Sequence, residues 1–128
     1  MKQQLSDLSV SYSFLVQDEP LKTKFETALT EAIDDVLSAF GNTNKQAVYR
    51  HLENRCGLKK EEIPFKIEAF ANAIEQIFGS NAKLIEIKIL ERLHAKYRYF
   101  SYVPKKGELS FVEFVYNLQH HLGLKPET

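Results

Sequence analysis

The chain has 128 residues, 44% of them hydrophobic and 27% charged, with Lys and Arg equal in number to Asp and Glu. Those proportions argue against disorder and suit a single domain, residues 1–128, with one ordinary hydrophobic core and no staple of metal or disulfide. The lone Cys56 excludes an intrachain disulfide, and no run approaches the roughly 18 apolar residues of a membrane span, so the expectation is a soluble cytoplasmic protein with no membrane partner.

Residues 8–16 open the chain with apolar residues alternating with serine, Leu8, Val10, Tyr12 and Phe14 against Ser9, Ser11 and Ser13. Alternation of this kind predicts a strand, and residues 1–17 read as a strand-like arm. A lone strand leaves its backbone groups unpaired, so it needs a partner. Three remain open: the aromatic stretch at residues 99–103, the same strand of a second chain, or no strand pairing, with the segment draped over the bundle.

Asp18, Glu19 and Pro20 suit the first turn of a helix. From Leu21, apolar residues recur at three and four through Phe25, Ala28, Leu29, Ala32, Ile33, Val36, Leu37 and Phe40, with Gly41 as its left-handed stop. Asn42 or Thr43 caps a second helix, with Gln46 in capping-box register, Ala47, Val48, Leu52 and Cys56 inward and Gly57 at its end. Pro64 disfavours helical backbone at Ile63, so a third helix starts just after it and turns Ile67, Phe70, Ala71, Ile74, Ile77 and Phe78 inward.

Residues 80–97, capped by Ser80, form the helix around which the others are expected to gather. Ala82, Ile85, Ile89 and Leu93 make one stripe, and Leu84, Ile87, Leu90, His94 and Tyr97 a broad second one. A turn at Pro104 to Gly107 follows, then a fifth helix in which Ser110 and Glu113 form a capping box ahead of Phe111, Phe114, Val115, Leu118, His121 and Leu122. The fold class predicted is mainly α, a bundle of about five helices around residues 80–97, with the N-terminal strand pairing near residues 99–103 as its one β alternative.

Charge is unevenly distributed. Up to Asn42, seven acids face three lysines, whereas residues 80–106 hold seven lysines and arginines against Glu86 and Glu91. This basic region is the one candidate for an anionic partner, which makes a DNA-binding regulator using residues 83–106 the alternative function. Its ordinary reading is a helix face that pairs with the acidic first helix, since the balanced net charge argues against phosphate-driven binding. Residues 52–63 also have the glycine turn of a helix-turn-helix, but Pro64 inside the second helix would cost about 3 kcal/mol and Glu61 and Glu62 would face phosphates.

Catalytic signatures are absent from the sequence. His51 and Cys56 are about 140° apart on a helix and do not converge on a metal. The five glycines are isolated, which does not build a phosphate loop. Cys56 reads as a small buried filler, and Glu61 with Glu62 or Asp34 with Asp35 as solvated neighbours. No enzyme, cofactor or metal is expected.

The residues chosen as partner-binding are Val10, Tyr12, Phe14, Phe100 and Tyr102 for apolar contact, with Lys88, Arg92, Lys96 and Arg98 as a charged rim. The partner expected is another protein or a second copy in a homodimer. A small-ligand sensor with a pocket among the helices is a further alternative.

Several phrases carry a family resemblance: Ala47-Val48-Tyr49-Arg50-His51-Leu52-Glu53, Gly57-Leu58-Lys59-Lys60-Glu61-Glu62-Ile63-Pro64, Ala69-Phe70 with Ala73-Ile74-Glu75-Gln76-Ile77-Phe78-Gly79, Ala82-Lys83-Leu84-Ile85-Glu86, and Phe111-Val112-Glu113-Phe114-Val115. Residues 43–118 thereby resemble a small archaeal domain, the fifth Nitrosopumilus output domain. The resemblance implies a signal-transduction output or sensory module that acts by binding and not by catalysis. It supplies no ligand or catalytic residues to carry over.

Overall fold

The computed structural model describes residues 20–102 and 110–124, and the strand expected at residues 8–16 lies outside them. Among the described residues there are five α-helices and no strand: α1 Leu21–Ser38, α2 Asn42–Cys56, α3 Ile67–Phe78, α4 Ala82–Lys96 and α5 Phe111–His121. The predicted all-helical bundle is therefore present, and its order follows the sequence periodicity.

On α1 the three-and-four spacing buries Phe25, Ala28, Leu29, Ala32, Ile33, Val36 and Leu37. The helix then tightens, with the amides of Ala39, Phe40 and Gly41 donating to the carbonyls of Val36, Leu37 and Ser38 at 3.2, 3.1 and 3.0 Å. Gly41, expected as a left-handed stop for α1, instead stands at the start of α2 with φ 95° and ψ 151°. Neither Asn42 nor Thr43 caps α2; Asn44 instead donates from Nδ2 to the Phe40 carbonyl at 2.7 Å, tying the two helices at their junction.

Gly57 does end α2 in the left-handed conformation, φ 64° and ψ 30°. The carbonyl of Leu52 takes the Gly57 amide and, at 3.0 Å, that of Leu58, which lets the chain reverse and bury the Leu58 side chain. The connection to α3 is a 3₁₀ segment, Lys60–Phe65, that contains Pro64. Glu62 closes its first turn by accepting the Lys59 amide at 2.9 Å. A six-residue 3₁₀ turn is too short to serve as a recognition helix, so residues 52–63 do not form a helix-turn-helix.

A second 3₁₀ turn, Gly79–Asn81, joins α3 to α4, so Ser80 lies in the link and caps nothing. Ala82, Ile85, Ile89, Leu90 and Leu93 of α4 are buried, but Leu84 is exposed, and the expected second stripe is only partly covered. Helix α4 packs on α1, α3 and α5, while α3 packs on α2, α4 and α5, so the two helices share the middle of the bundle. Aromatic contacts join the layers: Phe25 with Tyr97 at 6.3 Å, and Phe70 with Phe111 at 5.9 Å.

Ser110 caps α5 as expected, its Oγ accepting the Glu113 amide at 3.2 Å. The Glu113 carboxylate is used differently from a capping box: it accepts the Tyr102 hydroxyl.

One carboxylate, Asp34, ties three elements together at the periphery. Asp34 of α1 accepts Lys45 and Tyr49 of α2 and Lys60 of the 3₁₀ segment at 3.3, 3.1 and 3.1 Å. Burial pushes the Asp34 carboxyl up, but these three donors together outweigh it and hold the group below its ordinary value. Burial, followed by the Asp34 charge, raises the Tyr49 phenol.

Candidate functional site

The residues expected to bind a partner separate into three groups. Val10, Tyr12 and Phe14 lie outside the described residues. Phe100 is only 8% exposed and is part of the core, its ring 5.4 Å from Phe114 and 5.2 Å from His121. Tyr102 packs edge-on against Phe114 at 6.2 Å and donates to Glu113. Residues 99–102 form no strand: the Phe100 amide returns to the Tyr97 carbonyl at 3.1 Å, and this turn displays Tyr99 fully to solvent.

The basic face of α4 behaves as its ordinary reading anticipated. Arg92 pairs with Asp35 at 3.3 Å and Lys96 with Glu31 at 3.4 Å, both on the acidic α1 of the same chain. Such exposed pairs are each worth less than about 1 kcal/mol. They nevertheless neutralise two of the four cations proposed as a rim, and leave Lys88 and Arg98 exposed.

A surface that the sequence did not single out lies elsewhere, where the end of α1 meets α2 and α3. Phe40 sits beyond the last turn of α1 and is 44% exposed, its ring 5.8 Å from that of Phe78 at the end of α3. Below the two rings runs a groove of about 490 Å³ whose walls include Ala47, Val48, His51, Gln76 and Ile77. Ala47 was expected inside but is exposed on this wall. Helical spacing carries the α2 wall from Asn44 through Ala47 and His51 to the exposed Arg55.

The lining contains no carboxylate. His51 thus has no acid beside it in the groove to orient it for general-base work. The Cys56 thiol at the edge lies 4.0 Å from the side-chain carbonyl of Gln76, a weak hydrogen bond and not an activating cation. Among the described residues no group of three His, Cys, Asp or Glu side chains could hold a metal ion, and no helix is long and apolar enough to cross a membrane.

Helical periodicity by itself places both Phe40 and Phe78 in the core, and Phe78 does pack partly against it. The signal that separates Phe40 is its position next to Gly41, past the point where α1 can continue. In comparisons with family models, with curated proteins and with solved structures, no match to this chain was found.

Proposed function

We propose that this chain is a non-enzymatic regulatory domain that binds another protein, and that the groove between α1, α2 and α3 receives an amphipathic segment flanked by acidic residues. The observation that carries this reading is the exposed Phe40, stacked beside the half-buried Phe78 over a concave, partly apolar surface. Full burial of a phenylalanine is worth about 1.5–3 kcal/mol, so a residue as exposed as Phe40 leaves part of that gain for a partner to supply. The acidic flank follows from charge: no Asp or Glu is among the described residues that line the groove, and the exposed Arg55 lies one helical turn beyond His51 on the same face of α2. A role in signal transduction rests on the likeness of residues 43–118 to an output domain and is part of the same proposal.

A display library of helix-forming peptides, selected on the full chain, tests it. The enriched peptides are expected to carry apolar residues at helical spacing with Asp or Glu beside them, and to bind Phe40→Ser at least about tenfold more weakly, as an interface aromatic does. Phe40 lies outside the buried core, so this variant keeps the fold. No enrichment, or equal binding by Phe40→Ser, overturns the proposal. Light scattering over a dilution series reads whether the segment comes from a second copy: in that case the dimer falls apart in Phe40→Ser.

A further inference from the structure

A second cleft lies on the other side of α3, between α3, α4 and the start of α5, with a volume of about 640 Å³. Its walls include Asn72, Glu75, Glu86, Ser110, Phe111 and Val112. Glu86 is unusual among them. It is only 9% exposed, it lines the cleft, and among the described residues no side chain or backbone amide donates a hydrogen bond to it; the charge that reaches it is that of Lys83, which lines the same cleft. Burying most of this side chain carries a desolvation cost that the Lys83 charge offsets only in part, and globular proteins meet such a cost with a partner.

We infer that this cleft is a binding site for a small organic cation, an alkylammonium or alkylguanidinium whose charged head meets Glu86 and Glu75 and whose apolar body lies on Phe111 and Val112. Three properties select this ligand class. An anion would enter against two carboxylates, opposed among the described lining residues by Lys83 alone. A neutral ligand would leave the excess negative charge of the cleft, Glu75 and Glu86 against Lys83, unbalanced. A metal ion lacks ligands, since among the described residues no three acidic, histidine or cysteine side chains converge, and hard cations take six or more oxygens.

An organic cation fits on both counts, because charge-assisted bonds to a desolvated carboxylate are the strong ones and the cleft wall is partly apolar. The cleft volume falls in the range of small-molecule sites. The raised Glu86 carboxyl, pushed up by burial and then by the Glu75 charge, agrees with a site waiting for positive charge. The groove occupied by the proposed protein partner is a different surface, so this inference stands or falls separately from it.

The test is an NMR titration of the full chain with 1,4-diaminobutane, agmatine and hexylamine, with 1-hexanol as the neutral control. Saturable shifts of the Ala82 and Phe111 amides with the cations, and none with 1-hexanol, are expected. Glu86→Gln keeps the shape of the side chain and should weaken the binding at least about tenfold, one pKa unit of interaction or more. The exposed Glu75→Gln should weaken it about two- to fivefold, the scale of a solvated pair. No saturable shift up to about 10 mM of any cation overturns the inference. Equal affinity in Glu86→Gln overturns it too, as does binding of a lysine-bearing peptide but of none of the free amines.

Discussion

Glu86 shows how one residue can set a pH dependence for the whole fold. Burial and the charge of Glu75 lift its carboxyl above the ordinary 4.5, against a smaller opposing pull from Lys83. Between 4.5 and the raised value, the folded chain holds a proton that the unfolded chain has released. Stability therefore falls as pH rises through that window, and the whole penalty is in force above it. Glu86→Gln removes the ionisation. Thermal melts should show the variant more stable than the parent at about pH 7, and the difference vanishing below about pH 4. A variant less stable at neutral pH would mean that the carboxylate has a compensating partner. None of this was legible in the sequence. Glu86 follows Ile85 and precedes Ile87 in an apolar run, and periodicity alone does not reveal that a glutamate there is carried to the floor of a cleft by the close approach of α5.

At the scale of elements, helices were easier to read than the joints between them. The number and order of the α-helices follow from apolar spacing, and Gly57 and Ser110 end and begin their helices as the sequence suggests. Ser110→Ala removes the side-chain acceptor of the Glu113 amide and should cost about 1 kcal/mol, read as a lower urea midpoint at unchanged slope, with Ser110→Thr restoring most of it. The loss reaches the core because α5 delivers Phe111, Phe114, Val115 and Leu118 to it. Joints were misread for a common reason: a short 3₁₀ turn uses the same residues as a helix start. The helix expected just after Pro64 does begin there, at Ile67, but only once a 3₁₀ turn holding the proline has ended, whereas Ser80, expected as a cap, lies inside another such turn. Ala47, Phe40 and Leu84 show the other limit, since spacing tells which way a residue points and not whether a neighbour arrives to cover it.

For the whole molecule, the separation of charge along the sequence finds its use in folding the chain back on itself. Acids of α1 meet Arg92 and Lys96 of α4, and Asp34 gathers Lys45, Tyr49 and Lys60. Apart from these links, the groove and the cleft lie on different sides of α3 and meet at its end. Phe78 lines the groove, and its neighbour Gly79 lines the cleft. Gly79 has φ 57° and ψ −127°, a backbone setting open to glycine and hardly to any other residue, and an added Cβ would meet nothing within 4 Å. Replacing it would therefore act through the main chain alone. Gly79→Ala should swing this shared pivot to another setting and impair both surfaces together, weakening peptide capture and amine capture in one protein. Phe40→Ser and Glu86→Gln should each silence one surface and spare the other. One dipeptide would then serve as a mechanical link between two recognition events that the rest of the helix keeps apart.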